Sequence, residues 1–217
     1  MNLFRSIALL GLVSAAGAAM ADPLSISGMT SGKYYALNIA VYGGNINCYA
    51  GPQSATYGTD NFEAYCVDIF HDNYLPVSFD VTPKSASTFL PNGDRIAQLV
   101  NKYSSTITNA DQGAALQLAI WDVLVDGGDG INTGNFQASG VTAGSMSYVS
   151  SFLGDSLTGT SNLATVYNPT YHGPNDNIYQ GMIGAGGPIT NAVPEPASMA
   201  ALAIGGLALL RRRRKSA

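Results

Sequence analysis

The sequence predicts an α+β fold, a β-rich sheet or barrel with a small helical subdomain inserted in it. Strand-like runs rich in aromatic and β-branched residues fill the chain from residue 24 to about residue 80. Two segments with helical periodicity and helix-start residues follow, over 94–103 and 109–126. Because strands and helices are segregated along the chain rather than alternating, the class is α+β and not α/β.

The strands are predicted from three runs in this first part of the chain. The run 34–42 is rich in tyrosine and branched residues and ends at the turn signal Gly43-Gly44-Asn45. A second apolar run covers 62–70, and 77–81 alternates apolar and polar residues with a period of two.

The helices follow from apolar spacing and from capping residues. The segment 94–103 repeats apolar residues at helical spacing, and Asp94 is suited to its N-cap. The segment 109–126 begins with Asn-Ala-Asp and ends at two consecutive glycines. A further helix is predicted over 143–157, within a stretch rich in Gly, Ser, Thr and Asn.

Composition and charge exclude several classes of protein. The 217 residues are 46% hydrophobic and only 11% charged, which excludes charge-rich disorder and, with 25 glycines, a coiled coil. Residues 22–193 contain 13 acidic and 4 basic side chains, a net charge of −9. Such a surface repels phosphate backbones, so we expect no nucleic-acid partner.

The N-terminus has the three parts of a secretory signal peptide, residues 1–21. Arg5 supplies the positive charge, 6–17 an apolar core, and Ala19-Met20-Ala21 the small residues of a cleavage site. The alternative is a buried N-terminal helix, but Asp22-Pro23 directly afterwards would break it. We therefore expect an exported protein whose mature chain begins at residue 22.

The C-terminus combines a short motif, an apolar run and a basic cluster. Pro194, Glu195 and Pro196 precede 14 mostly apolar residues at 197–210, followed by Arg211–Arg214. As a helix this run would span about 21 Å, less than the roughly 30 Å hydrocarbon core of a bilayer. The basic cluster stays on the cytoplasmic side. This short transmembrane segment therefore suits a transient inner-membrane association before processing.

This three-part pattern resembles the PEP-CTERM sorting signal of Gram-negative bacteria, which would cover 193–217. The resemblance implies recognition by an exosortase-type processing enzyme and cleavage near the motif. It also implies delivery to the cell surface or to an extracellular matrix. It carries no information about the function of the rest of the chain.

Gln117 is unusual on the second predicted helix. A helical projection places it inside the apolar stripe, beside Leu124 and Trp121. The polar side of the projection carries Gln112, Asp122 and Asp126. A buried amide without partners costs about 1–3 kcal/mol. Gln117 therefore either makes specific hydrogen bonds or is consumed by chemistry.

Two motifs together resemble bacterial thioester domains. They are Tyr65-Cys66-Val67-Asp68 on a strand-like run and Leu116-Gln117-Leu118-Ala119-Ile120-Trp121 on the helix. The resemblance implies an internal thioester between Cys66 and Gln117, with Tyr65 and Trp121 as neighbours that exclude water. An amine or hydroxyl on a surface polysaccharide or protein would displace the sulfur, so the protein would be a covalent adhesin and not an enzyme.

Other interpretations of these residues stay open. Cys48 and Cys66 are the two cysteines of an exported chain, so they are candidates for a disulfide or for two free thiols. The same fold with an unreactive Cys and Gln would be a structural matrix protein. His71 is five residues after Cys66 and is a candidate base, or an ordinary surface histidine.

The remaining motifs predict neither a metal site nor a cofactor. Two His and two Cys at these spacings do not form a zinc motif. Residues 126–130 resemble part of a calcium loop but lack the other features of an EF-hand, and a helix C-cap explains them. The predicted division is therefore the signal peptide, a thioester-like domain at 22–170, a polar stalk at 171–192 and the sorting signal.

Overall fold

The computed structural model describes residues 22–170 and 178–187, which contain nine strands and four α-helices. The strands are β1 (Pro23–Met29), β2 (Tyr35–Val41), β3 (Gly44–Ala50), β4 (Gln53–Tyr57), β5 (Asp60–Cys66), β6 (Val77–Ser85), β7 (Phe136–Ser139), β8 (Ala164–Pro169) and β9 (Met182–Ala185). The helices are α1 (Ala86–Phe89), α2 (Gly93–Tyr103), α3 (Ala110–Asp126) and α4 (Ala143–Gly154). A 3₁₀ turn, Ser104–Thr106, follows α2.

Six strands form a closed antiparallel barrel in the order β1-β4-β5-β9-β8-β6. Alternation puts Leu24 and Ile26 of β1 and Ala55 and Tyr57 of β4 in the core. A second sheet has the order β3-β2-β7, and the helices lie between β6 and β8 in the chain. The α+β fold class, with a barrel and an inserted helical part, is confirmed.

The central element of the helical part is α3, which is buried on all sides from Gly113 to Val123. It packs against α2, α4 and the three-stranded sheet. The Asn109 side chain accepts a hydrogen bond from the Gln112 N–H, and Gly127 ends the helix in the left-handed region at φ 75°. A Cβ at Gly113 would collide with the Lys33 carbonyl oxygen, so glycine allows α3 to approach that loop.

Three sequence predictions about the helices need correction. The N-cap of α2 is Asn92, and Asp94 lies in the first turn, where it accepts a hydrogen bond from Asn162. The predicted helix over 143–157 ends at Gly154. Asp122, placed on the polar side of α3, is fully buried. A helical projection cannot show that later segments of the chain cover this side.

The stretch assigned to a polar stalk contains a strand of the barrel. Within 171–192, β9 pairs with β5 on one side and with β8 on the other. Met182 and Ile183 of this strand are fully buried. Residues 182–185 therefore belong to the barrel and not to a stalk.

The two predicted sorting segments lie outside the described residues. These are the signal peptide 1–21 and the C-terminal signal 193–217. Among the residues that are described, no helix is long and apolar enough to cross a membrane.

Candidate functional site

The candidate site is where the end of β5 meets the middle of α3. Cys66 is the last residue of β5 and is 3% exposed, and Gln117 is fully buried. The Cys66 N–H donates to Gln117 Oε1 at 2.9 Å, and Gln117 Nε2 donates to the Cys66 carbonyl at 2.9 Å. The structure therefore brings together the two residues that the sequence motifs single out.

The barrel leaves the main chain of Cys66 free to bind a side chain. The pairing of β5 with β4 ends at the pair Ala64–Gln53, two residues before Cys66. On the other side of β5, the Val67 N–H donates to the Gly181 carbonyl at 2.9 Å. The Gln117 amide therefore takes the place that a further residue of β4 would occupy in the ladder. These two bonds explain how an amide is tolerated inside an apolar helix.

The thiol of Cys66 has a different set of neighbours. Its Sγ donates to the Asp68 carbonyl at 3.0 Å. Burial raises the pKa of the Cys66 thiol to about 12, although main-chain contact with Asp68 and the Trp121 indole act in the opposite direction. At neutral pH the Cys66 side chain is therefore a neutral thiol rather than a thiolate.

The two predicted water-excluding residues are both buried beside this pair. Tyr65 precedes Cys66 on β5 and is fully buried, and Trp121 is one helical turn beyond Gln117 and is 3% exposed. The Trp121 ring lies against Phe136, with 6.2 Å between ring centroids. Within the described part of the chain, the Tyr65 hydroxyl has no hydrogen-bond partner, and the Trp121 indole N–H lies near the Cys66 sulfur without forming a hydrogen bond.

A cavity of about 160 Å³ adjoins the thiol. Its lining includes Cys66, Cys48, Gln53 and Trp121. Gln53 Oε1 and the Trp121 indole N–H are buried and unpaired there, so the cavity offers one hydrogen-bond acceptor and one donor. The exposed Tyr49 also contributes to the lining, so this space reaches toward the surface.

Gln53 was not predicted from the sequence. It is 6% exposed and, as the first residue of β4, shares the buried face of that strand with Ala55 and Tyr57. The pattern Gln-x-Ala-x-Tyr contains this information, because residues at a spacing of two lie on one face. The period of two over 53–57 therefore predicts that Gln53 is buried.

Cys48 lies on β3 and is half-buried, and both cysteines are free thiols in the structure. Burial, helped by the Asp72 carboxylate, raises the pKa of Cys48 to about 11. Cys48 and Cys66 line the same cavity, so Cys48 is the thiol that would pair with Cys66 in the alternative disulfide. Its sulfur lies outside the Cys66–Gln117 hydrogen-bonded pair.

His71 is paired with Asp68. Its Nδ1 is 2.7 Å from Asp68 Oδ2, and its side chain is 37% exposed. The same Asp68 accepts the Cys66 thiol through its carbonyl, so the 68–71 turn links the histidine to the thiol without direct contact. Whether His71 acts as a base stays a prediction.

Comparison with known proteins identifies one segment. Residues 192–215 match the PEP-CTERM protein-sorting motif, in agreement with the predicted signal containing Pro194, Glu195 and Pro196. No curated protein and no solved structure matches the chain. The matched motif indicates an exported protein that is sorted by an exosortase and held only transiently through its C-terminal segment.

Proposed function

We propose that the exported domain forms an internal thioester between Cys66 and Gln117 and uses it to attach covalently to a surface target. The single observation that carries this proposal is the pair of 2.9 Å hydrogen bonds between the Gln117 amide and the Cys66 main chain. These bonds hold the electrophilic carbon of one residue beside the residue that carries the sulfur. The motif resemblance gives the same pair independently of the geometry.

The bond-forming step is balanced within the pair. The Cys66 sulfur adds to the Gln117 Cδ, the Cδ–Nε2 bond breaks, and the thiol proton leaves with the nitrogen as ammonia. During this step the negative charge develops on Oε1, to which the Cys66 N–H already donates at 2.9 Å. A donor held at this distance stabilises such an oxyanion without reorganisation.

The second step attaches the target. An amine or hydroxyl attacks the same carbon, the carbon–sulfur bond breaks, and the proton of the nucleophile passes to the sulfur. Residue 117 then carries the target as an amide or ester, and Cys66 is again a thiol. Because the bond is used once and not regenerated, we propose a covalent adhesin rather than an enzyme.

The surroundings of Cys66 support a stored rather than a rapidly hydrolysed bond. Burial disfavours a charged thiolate at Cys66, whereas a thioester is neutral. Gln117 and its neighbours Cys66, Tyr65 and Trp121 are all buried, which limits the access of water to this carbon. The cavity beside them, with its free acceptor and donor, offers space for a small nucleophile.

A second function is favoured by the same hydrogen bonds. Two well-made bonds satisfy a buried amide without any covalent chemistry. On this alternative the Gln117–Cys66 pair is a clamp between helix and barrel, and the protein is an unreactive structural component of an extracellular matrix.

Methylamine uptake separates the two functions. The thioester proposal expects the untreated protein to be one ammonia lighter than its sequence mass. It also expects one equivalent of methylamine at residue 117, with release of one thiol at Cys66. Intact mass, peptide mapping and thiol counting measure these three quantities.

The variants make this experiment specific. Cys66→Ala should abolish uptake while keeping the fold, because the hydrogen bonds to Gln117 use only the main chain of residue 66. Cys48→Ala is the matched control and should take up methylamine normally. An unmodified mass with no uptake by folded wild type establishes the structural alternative, and uptake that persists in Cys66→Ala also refutes the thioester.

A further inference from the structure

Three carboxylates lie close together at the C-terminal end of α3. The proposed thioester does not use them. Asp122 and Asp126 are one turn apart on the helix, and Asp129 follows after the Gly127 C-cap turns the chain back. One oxygen from each carboxylate lies within 4.8 Å of the other two. Like charges gathered this closely repel one another unless something neutralises them.

Asp122 is the reason that this cluster differs from an ordinary acidic surface. Its side chain is fully buried, and its Oδ2 accepts a hydrogen bond from the Gly130 N–H at 2.9 Å. Its Oδ1 is buried and has no hydrogen-bond partner among the residues that the structure describes. A carboxylate oxygen accepts but does not donate, so neither Asp126 nor Asp129 as a carboxylate satisfies it.

None of the ion pairs in the described part of the chain involves these three carboxylates. Arg95 adjoins the turn, but its guanidinium donates to the carbonyls of Gly127 and Leu153, at 2.5 and 2.7 Å. The three carboxylates therefore form a concentration of negative charge that a bound cation would neutralise.

The main chain after α3 wraps around the carboxylates. Both oxygens of Asp126 are used, by the Phe136 N–H at 2.6 Å and by the Asn135 side-chain amide at 3.1 Å. Gly134 has φ +74°, and a Cβ there would be 2.6 Å from Asp126 Oδ2 and 2.9 Å from Asp129 Oδ2. The turn thus encloses the carboxylates closely, and glycine leaves room beside them.

We propose that Asp122, Asp126 and Asp129 bind a calcium ion that fastens the end of α3 to the turn leading into β7. Calcium takes oxygen ligands at about 2.3–2.6 Å, so one ion can contact oxygens that are 4.8 Å apart. An all-oxygen, carboxylate-rich site favours a hard cation over zinc. Water and main-chain carbonyls supply the further ligands that calcium requires.

The proposal does not depend on the thioester, although the two sites share a helix. Asp122 is adjacent to Trp121 in sequence, and the turn held by Asp126 begins β7 with Phe136, which lies against the Trp121 ring. The ion would therefore hold in place the segment that covers the tryptophan.

Calcium titration of the full-length chain, first treated with a chelator, tests the site. Calorimetry should give one equivalent of bound Ca²⁺ with a Kd of about 10⁻⁴–10⁻³ M, the range of extracellular calcium modules, or tighter. Addition of about 10 mM CaCl₂ should raise the Tm by about 3–10 °C. A wild type with no binding heat and no Tm shift overturns the proposal.

Asp129→Asn is the decisive variant because Asp129 is exposed and its replacement leaves the core intact. It should weaken Ca²⁺ binding at least tenfold while leaving the Tm in chelator unchanged or higher, since it removes a repulsion. Asp60→Asn, the same change at an exposed residue of β5, should bind Ca²⁺ like wild type. Full binding by Asp129→Asn, or an equal loss in Asp60→Asn, would mean diffuse charge attraction and not this site.

Discussion

The proposed thioester makes a quantitative prediction for the stability of Cys66→Ala. The bond would join residues that are 51 positions apart in the chain. Chain-entropy arguments for a crosslink closing a loop of this length give a stabilisation of about 4 kcal/mol. Loss of that crosslink should lower the Tm by about 8–16 °C in a domain of this size.

The same substitution has a small effect if Cys66 is an unreactive thiol. Removal of one buried sulfur atom then costs roughly 1 kcal/mol, in line with other small deletions in a core. Calorimetric or denaturant unfolding of wild type, Cys66→Ala and Cys48→Ala distinguishes the two cases. Methylamine-treated wild type should be as unstable as Cys66→Ala, because both lack the crosslink. A cost near 1 kcal/mol for both cysteine variants would refute the reasoning.

The hydrogen bonds can be measured apart from the crosslink. They use the main chain of residue 66, so they persist in Cys66→Ala. Adding Gln117→Leu to that variant leaves a buried N–H and a buried carbonyl unpaired, at a cost of roughly 2–5 kcal/mol. Gln112→Leu in the same background is the control and should cost roughly 1 kcal/mol or less, because its bonds to Thr108 are exposed. Equal costs at the two positions would contradict the clamp geometry.

Two further predictions concern processing and acid stability. Protein recovered from the surface fraction should lack Arg211–Arg214 by mass spectrometry, and recovery of the full-length chain there would contradict processing at the sorting motif. The second concerns Asp155, where hydrogen bonding to Lys102 holds the carboxyl pKa well below its usual range. The stability it contributes is present above its unfolded pKa of about 4 and is lost as the pH falls through the folded value. Asp155→Asn should therefore flatten part of the fall in Tm as the pH is lowered from about 5 to about 2, and an unchanged pH profile would show that the pair does not act on folding.

The two ends of α3 and the burial of Gln117 could be predicted from residues that are close together in the sequence. The Asn109 cap and the terminal Gly127 are local devices, so both ends of the helix could be predicted from neighbouring residues. The burial of Gln117 followed from its apolar neighbours on the projection. Asp122 could not be placed in this way, because the turn that covers it comes from residues 130–136.

The barrel closure depends on pairings that no local pattern reveals. β9 has four residues, Met182–Ala185, and becomes a strand only because β5 and β8 both pair with it. Such a short run, which contains a glycine and is flanked by glycines, has little strand character of its own. The contact that satisfies Gln117 has the same origin, since it requires β4 to stop pairing opposite Ala64 and leave the end of β5 free.

The difference between a reactive and an unreactive Cys66 resides at its sulfur rather than at the glutamine. Both functions use the same amide position, because both hydrogen bonds of Gln117 involve only the main chain of residue 66. The sulfur itself donates to the Asp68 carbonyl, and this bond must break before the sulfur can attack. Asp68 in turn binds His71, so on the proposed function we expect the 68–71 turn, rather than α3, to determine whether the thiol is held or released. On the proposed thioester function, α3 would therefore hold the Gln117 carbon in place, and the turn at the end of β5 would control the reactivity of the thiol.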